Sequence, residues 1–134
     1  MKTTAMILSA CLCLGVSGCS YYARGPNDYR TAVRKVLETK QPDVEACYKQ
    51  SYESDKSVQG RVVVSFEVEP KTGKIMKPSV VPAGTTANES LQKCVVSSLD
   101  GLVLDPPDQR TGAATFTWDF QRDTNAGAPP TEQS

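Results

Sequence analysis

The sequence predicts an α+β domain in which a three-stranded antiparallel sheet packs against helices, in the order α-α-β-β-α-β. Three observations lead to this fold class. Apolar residues recur at helical spacing in three stretches, and they alternate with polar residues in three others. A length of 134 residues suits one domain. Because the alternation leaves one sheet face apolar, the helices are expected to cover that face.

Two helices are predicted first. The apolar residues of the first are Tyr29, Val33, Val36 and Leu37. Asn27 or Asp28 is its expected N-cap. Pro42 interrupts this pattern and suits the first turn of a second helix, which should end before Gly60. The inward face of the second helix should carry Val44, Cys47, Tyr48, Ser51 and Tyr52.

A hairpin follows the two helices. From Arg61 the apolar positions repeat every second residue. They are Val62, Val64, Phe66 and Val68. Pro70–Gly73 is the expected turn, with Gly73 in the left-handed conformation. Lys74–Val81 is a weaker strand, and its Pro78 predicts a sheet edge or a bulge.

A third helix and a last strand complete the domain. Thr86 and Glu89 have the spacing of a capping box, and Asn88 is the rival cap. The apolar stripe of the helix is Leu91, Cys94, Val95, Leu99 and Leu102. The final strand, Ala113–Phe120, alternates in the same way as the first. Its large aromatic residues, Phe116, Trp118 and Phe120, share one face. We expect Trp118 to pack in the core rather than to serve as a ligand platform.

The first residues predict export and anchoring. A positive start and a short apolar run mark residues 1–18 as a signal peptide. Val16–Cys19 resembles the bacterial lipobox, which implies acylation of Cys19, and ordinary cleavage after Gly18 is the alternative. Residues 19–27 are then a lipidated tether, 28–122 the folded domain and 123–134 a disordered tail. By resemblance to lipoprotein sorting rules, Ser20 rather than Asp after the cysteine favours an outer-membrane anchor, with the domain facing the periplasm.

Cysteine usage follows from this export. Cys47 and Cys94 remain beside Cys19 in the mature chain, because Cys11 and Cys13 leave with the signal. In an oxidising compartment such a pair is read first as a disulfide. Two unlinked buried thiols are the alternative.

Composition excludes several classes of function. The chain has 15 basic and 15 acidic residues, so nothing predicts nucleic-acid binding, and it has no histidine. Ser-His-Asp and Cys-His catalysis and zinc sites with histidine ligands are therefore excluded. Glu67 and Glu69 are the best candidates for carboxylate catalysis, and a solvated strand face explains them more simply. We expect no enzyme, no cofactor and no metal.

A family resemblance rests on five pieces of the chain: Cys47-Tyr48, Gly60–Phe66, Pro70–Ile75, Leu91–Val95 and Phe116–Phe120. Together they resemble the AgmX/PglI C-terminal domain, a relative of the TonB C-terminal domain. The resemblance implies a helix-backed three-stranded sheet and a Cys47–Cys94 bridge. It also implies roles such as gliding motility, or receptor binding by strand addition. The chain departs from TonB in its lipid anchor, and Gly101–Pro107 lacks the family's aromatic residue and arginine.

These observations predict a non-enzymatic lipoprotein whose domain binds an envelope protein. The partner is expected to add a strand to the edge of the final strand, at Ala113, Thr115, Thr117 and Asp119. The alternative is a lipoprotein that binds peptidoglycan or a small ligand in a pocket between sheet and helices.

Overall fold

A computed structural model describes residues 23–121. Its elements follow one another as α1 (Pro26–Glu38), α2 (Gln41–Ser54), β1 (Gly60–Val68), β2 (Ile75–Val80), α3 (Glu89–Ser98) and β3 (Gly112–Phe120). The predicted α+β class with a three-stranded antiparallel sheet is confirmed. Within residues 23–121, none of the helices has the length and apolar character needed to cross a membrane. The predicted signal peptide, Cys19 and the predicted tail lie outside the described residues.

The sheet has the strand order β2-β1-β3, so β1 is central and β3 is at one edge. β1 and β3 pair without interruption over nine residues, from Gly60 opposite Phe120 to Val68 opposite Gly112. The pairing of β1 with β2 shifts register between Ser65 and Glu67. The weak second strand is therefore both an edge strand and irregular, as its proline predicted.

One face of the sheet forms the core together with the helices. The side chains that β1 and β3 direct to this face are Val62, Val64, Phe66, Val68, Phe116, Trp118 and Phe120, and each is at most 9 % exposed. Leu91 and Val95 of α3 are fully buried in the same cluster. Burying each large apolar side chain stabilises the fold by about 1.5–3 kcal/mol. Trp118 is thus a core residue, as the alternation predicted.

A disulfide between Cys47 and Cys94 joins α2 to α3, with 5.7 Å between the Cα atoms. The predicted inward face of α2 is confirmed, because Val44, Cys47, Tyr48 and Ser51 are buried. Tyr48 stacks on Phe120, with 5.4 Å between ring centroids, and its hydroxyl donates to the carbonyl of Gln121 at 3.0 Å. The disulfide therefore holds α2 against α3, and the stack with the Gln121 hydrogen bond holds α2 near the end of β3.

The predicted cap of α1 is wrong, and of the two caps predicted for α3 the structure has Asn88. α1 begins at Pro26 with Gly25 as its N-cap, because proline fits the first helical position better than Asn27 or Asp28. Asn88 caps α3 by accepting the Leu91 N–H at 2.9 Å. The Thr86 hydroxyl instead accepts the N–H of Arg61 at 2.9 Å, since the loop before α3 lies along β1.

The folded region also begins earlier than the boundary predicted at residue 28. Arg24, which falls in the predicted tether, is only 7 % exposed. Its backbone and side chain bond to the loop before β3. The chain is therefore held against the domain from Arg24 onward.

Candidate functional site

The hydrogen bonds of β1 determine which backbone groups of β3 point away from the sheet. The N–H of Val63 donates to the Thr85 hydroxyl at 3.0 Å, and its carbonyl accepts the Val81 N–H at 2.8 Å. Both groups of Val63 thus point away from β3. Its antiparallel partner, Thr117, must then direct its own N–H and carbonyl to the free edge. The same alternation applies to all four predicted partner-binding residues: Ala113, Thr115, Thr117 and Asp119.

These four residues differ in accessibility. Ala113 and Thr115 are exposed, whereas Thr117 is only 5 % exposed. Asp119 is half-buried, and its carboxylate accepts the Nε–H of Arg61 at 2.7 Å. Within the described chain, no turn or loop hydrogen bond is made by the backbone of Ala113 or Thr115. The accessible part of the edge is therefore its first half.

The opposite edge of the sheet, formed by β2, is poorly suited to pairing. Pro78 has no N–H to donate, and Lys77 adopts a positive φ of 52°. An isolated bridge between Lys74 and Val103 covers the chain just before β2. Of the two edges, β3 has the more regular backbone.

A cavity of about 370 Å³ opens where β3 begins. Its charged and aromatic lining consists of Arg24, Tyr29, Arg30, Asp108 and Arg110. Gly112 and Ala113, at the start of β3, complete the wall beside the free edge. Sequence reasoning missed this cavity, because its residues come from two regions about 80 positions apart and show no shared motif.

Hydrogen bonds between these two regions build the cavity wall. The backbone N–H of Arg24 donates to Asp108 Oδ2 at 2.9 Å, and its Nη2 donates to the carbonyl of Pro106 at 2.6 Å. Arg110 Nη2 donates to the carbonyl of Arg24 at 2.8 Å. Asp108 is only 3 % exposed and receives the N–H of Arg110 at 3.2 Å. Hydrogen bonds between residue 24 and residues 106–110 therefore fix the shape of the cavity.

Tyr29 is one of the residues that line the cavity. Its hydroxyl oxygen is buried and has no hydrogen-bond partner within residues 23–121. Burial raises the pKa of this phenol, and the nearby charge of Asp108 raises it further. The ring also lies against Gly112, where an added Cβ would overlap the hydroxyl. The phenol is therefore a neutral donor at neutral pH.

We expect the carboxylate of Asp108 to make the stability of the protein depend on pH. The Arg24 N–H that donates to its carboxylate holds the pKa of Asp108 below its ordinary value, against the opposing effect of burial. Because the folded-state pKa is lower than the unfolded one, the stabilisation is present above about pH 4 and is lost as pH falls through the folded value. We expect Asp108→Asn to cost roughly 2 kcal/mol at pH 7, as for a hydrogen bond to a charged group, and progressively less as pH falls through the folded-state pKa of Asp108.

Denaturant unfolding of the two proteins between pH 7 and pH 2 measures this difference. Asp100→Asn, at an exposed carboxylate just after α3, controls for the loss of one negative charge. If the difference in unfolding free energy between the unmutated protein and Asp108→Asn stays constant with pH, the lowered pKa of Asp108 does not contribute to stability.

The two carboxylates weighed for catalysis belong to separate surface interactions. Glu67 is half-exposed and pairs with Lys77 at 3.2 Å. Glu69 accepts a hydrogen bond from the hydroxyl of Thr72 in the hairpin turn. In the described part of the chain, no group of three or more acidic or cysteine side chains is placed to hold a metal ion.

No family model, curated protein or solved structure matches this chain.

Proposed function

We propose that this chain is a non-enzymatic envelope lipoprotein whose domain binds a protein partner by strand addition to β3. One observation carries the proposal: β3 is a regular nine-residue edge strand with exposed outward backbone groups at Ala113 and Thr115. Such an edge supplies affinity through main-chain hydrogen bonds, and side chains then select the partner. The irregular β2 edge offers no comparable template.

The proposal also covers the cellular location of the protein and its family. The Cys47–Cys94 disulfide supports an oxidising compartment such as the periplasm. Acylation of Cys19 would hold the domain close to the membrane, because Ala23 follows only four residues later, a reach of roughly 14 Å. The helix-backed sheet supports membership of the AgmX/PglI and TonB-like class, with a role in a motility or envelope-transport assembly.

Photocrosslinking in cells tests strand addition. A benzophenone amino acid at position 115 should form adducts with an envelope protein, whereas the same group at Lys93, on the exposed side of α3, should not. Ala113→Pro removes one outward N–H and leaves the bonds to β1 in place. We expect it to reduce the adduct at position 115 at least tenfold.

Two controls make the result decisive. Ala113→Ser keeps the N–H and should leave the adduct unchanged, and the melting temperature of the proline variant should stay close to that of the unmutated protein. Equal adducts at positions 115 and 93, or an adduct insensitive to proline, would refute strand addition. The intact mass of the purified protein tests the anchor. Cleavage after Gly18 without acyl chains on Cys19 would refute it.

A further inference from the structure

Basic side chains predominate in the lining of the cavity at the start of β3. Among residues 23–121, Arg24, Arg30 and Arg110 line it together with one acid, Asp108. The Asp108 carboxylate already accepts backbone N–H groups from Arg24 and Arg110. An anion that enters the cavity therefore meets guanidinium groups, which bind carboxylates well.

The Tyr29 hydroxyl adds a neutral donor to these charges. Its oxygen is buried and lacks a hydrogen-bond partner within residues 23–121, an arrangement that ordinarily costs free energy. Because the phenol holds its proton, it can donate to an acceptor that reaches the cavity. A carboxylate oxygen is such an acceptor.

The N-terminus of helix α1 also favours an anion in the cavity. Its first residue, Pro26, lines the cavity, and the cap position at Gly25 supplies no side-chain acceptor. The positive end of this 13-residue helix therefore lies beside the cavity, although Pro26 has no N–H of its own to donate. This effect is small, and it adds to the charge of the three arginines.

The direction of β3 indicates what the anion belongs to. β3 runs from Gly112 to Phe120, away from the cavity, and it is antiparallel to β1. A strand added antiparallel to β3 would therefore end beside Gly112. Its last residues would lie opposite Thr115 and Ala113, the accessible part of the edge.

We propose that the cavity binds the C-terminal carboxylate of a partner chain whose last residues pair antiparallel with the first half of β3. This inference rests on the strand addition proposed above and adds the identity of the partner's end. The cavity shares Gly112 and Ala113 with the edge, so one chain terminus can occupy both. The carboxylate sets the register of the added strand, and the main-chain bonds extend from it.

The probe is a pool of acetylated pentapeptides with random residues at all five positions, as free acids and as C-terminal amides. A random pool is suitable, because every peptide shares the backbone and the carboxylate that are recognised. Nuclear magnetic resonance of the ¹⁵N-labelled mature protein in detergent micelles reports on the amides of Ala113 and Thr115. We expect the free acids to shift these amides with an apparent Kd at least tenfold lower than that of the amides.

Three variants separate the carboxylate contact from the fold. Tyr29→Phe removes only the unpartnered hydroxyl, and Arg110→Gln removes one charge together with the hydrogen bond that this guanidinium donates to the Arg24 carbonyl. Each should reduce the preference for the free acid at least threefold. Lys93→Gln, at a side chain 75 % exposed on α3, should leave the preference unchanged. If Tyr29 has a purely structural role, Tyr29→Phe will also leave the preference for the free acid unchanged.

The possible results distinguish the carboxylate site from the strand addition on which it rests. Equal shifts from free acids and amides would overturn the carboxylate site and leave strand addition standing. Shifts around the cavity produced by sodium acetate, without any peptide-induced shift at Thr115, would overturn both and identify a site for small anions. No shift from either pool would also overturn both.

Discussion

Removing the disulfide between Cys47 and Cys94 should destabilise the protein strongly. We expect the double variant Cys47→Ala/Cys94→Ala to lose about 4 kcal/mol of unfolding free energy, because the bond closes a long loop with a sequence separation of 47. A domain of this size is stable by roughly 5–15 kcal/mol, so the loss is a large fraction of the total. The melting temperature should fall by roughly 15–30 °C.

Reduction provides the matched comparison for this variant. Dithiothreitol should lower the stability of the unmutated protein to that of the double variant and should not affect the double variant itself. Calorimetry with and without the reductant measures both effects. If the reduced protein keeps the melting temperature of the oxidised one, the link between α2 and α3 contributes no stability.

Periodicity predicted the parts of this fold that depend on a single segment. The alternation of Val62, Val64 and Phe66 identified the buried face of β1, because a strand buries every second side chain. Cys47 and Cys94 were each placed on an inward helix face by their spacing, and the structure joins them. The proline in β2 identified the irregular edge for the same local reason.

Features that depend on two distant segments could not be predicted in this way. Thr86 fits a capping box in the sequence, but the position of β1 gives its hydroxyl another partner. Arg24 reads as part of a polar tether, and only the fold brings Asp108 and Arg110 to it. The alternation placed Thr117 on the free edge, but its burial depends on packing that periodicity does not describe. The candidate cavity therefore lay beyond sequence reasoning.

Gly73→Ala should strongly destabilise the hairpin turn. Gly73 has a φ of 71°, which strains any residue with a Cβ, and the added Cβ would overlap the carbonyl oxygen of Leu104. The overlapped atom belongs to the backbone of Leu104, so no side chain can move aside to relieve the contact. The Leu104 N–H also donates to the Gly73 carbonyl at 2.7 Å, and the Ile75 N–H donates to Leu102 at 3.0 Å. Both bonds fix the loop against the turn.

The expected cost is about 4 kcal/mol, because the strain of the left-handed conformation and the overlap with the Leu104 backbone add together. Gly101→Ala separates the two causes, because Gly101 also has a positive φ, of 76°, but nothing lies within 4 Å of its added Cβ. That variant should lose only about 1–2 kcal/mol, the cost of the left-handed conformation alone. Urea unfolding of both variants measures the difference. Equal losses would mean that the loop at Leu104 yields freely and that backbone conformation alone requires glycine at position 73.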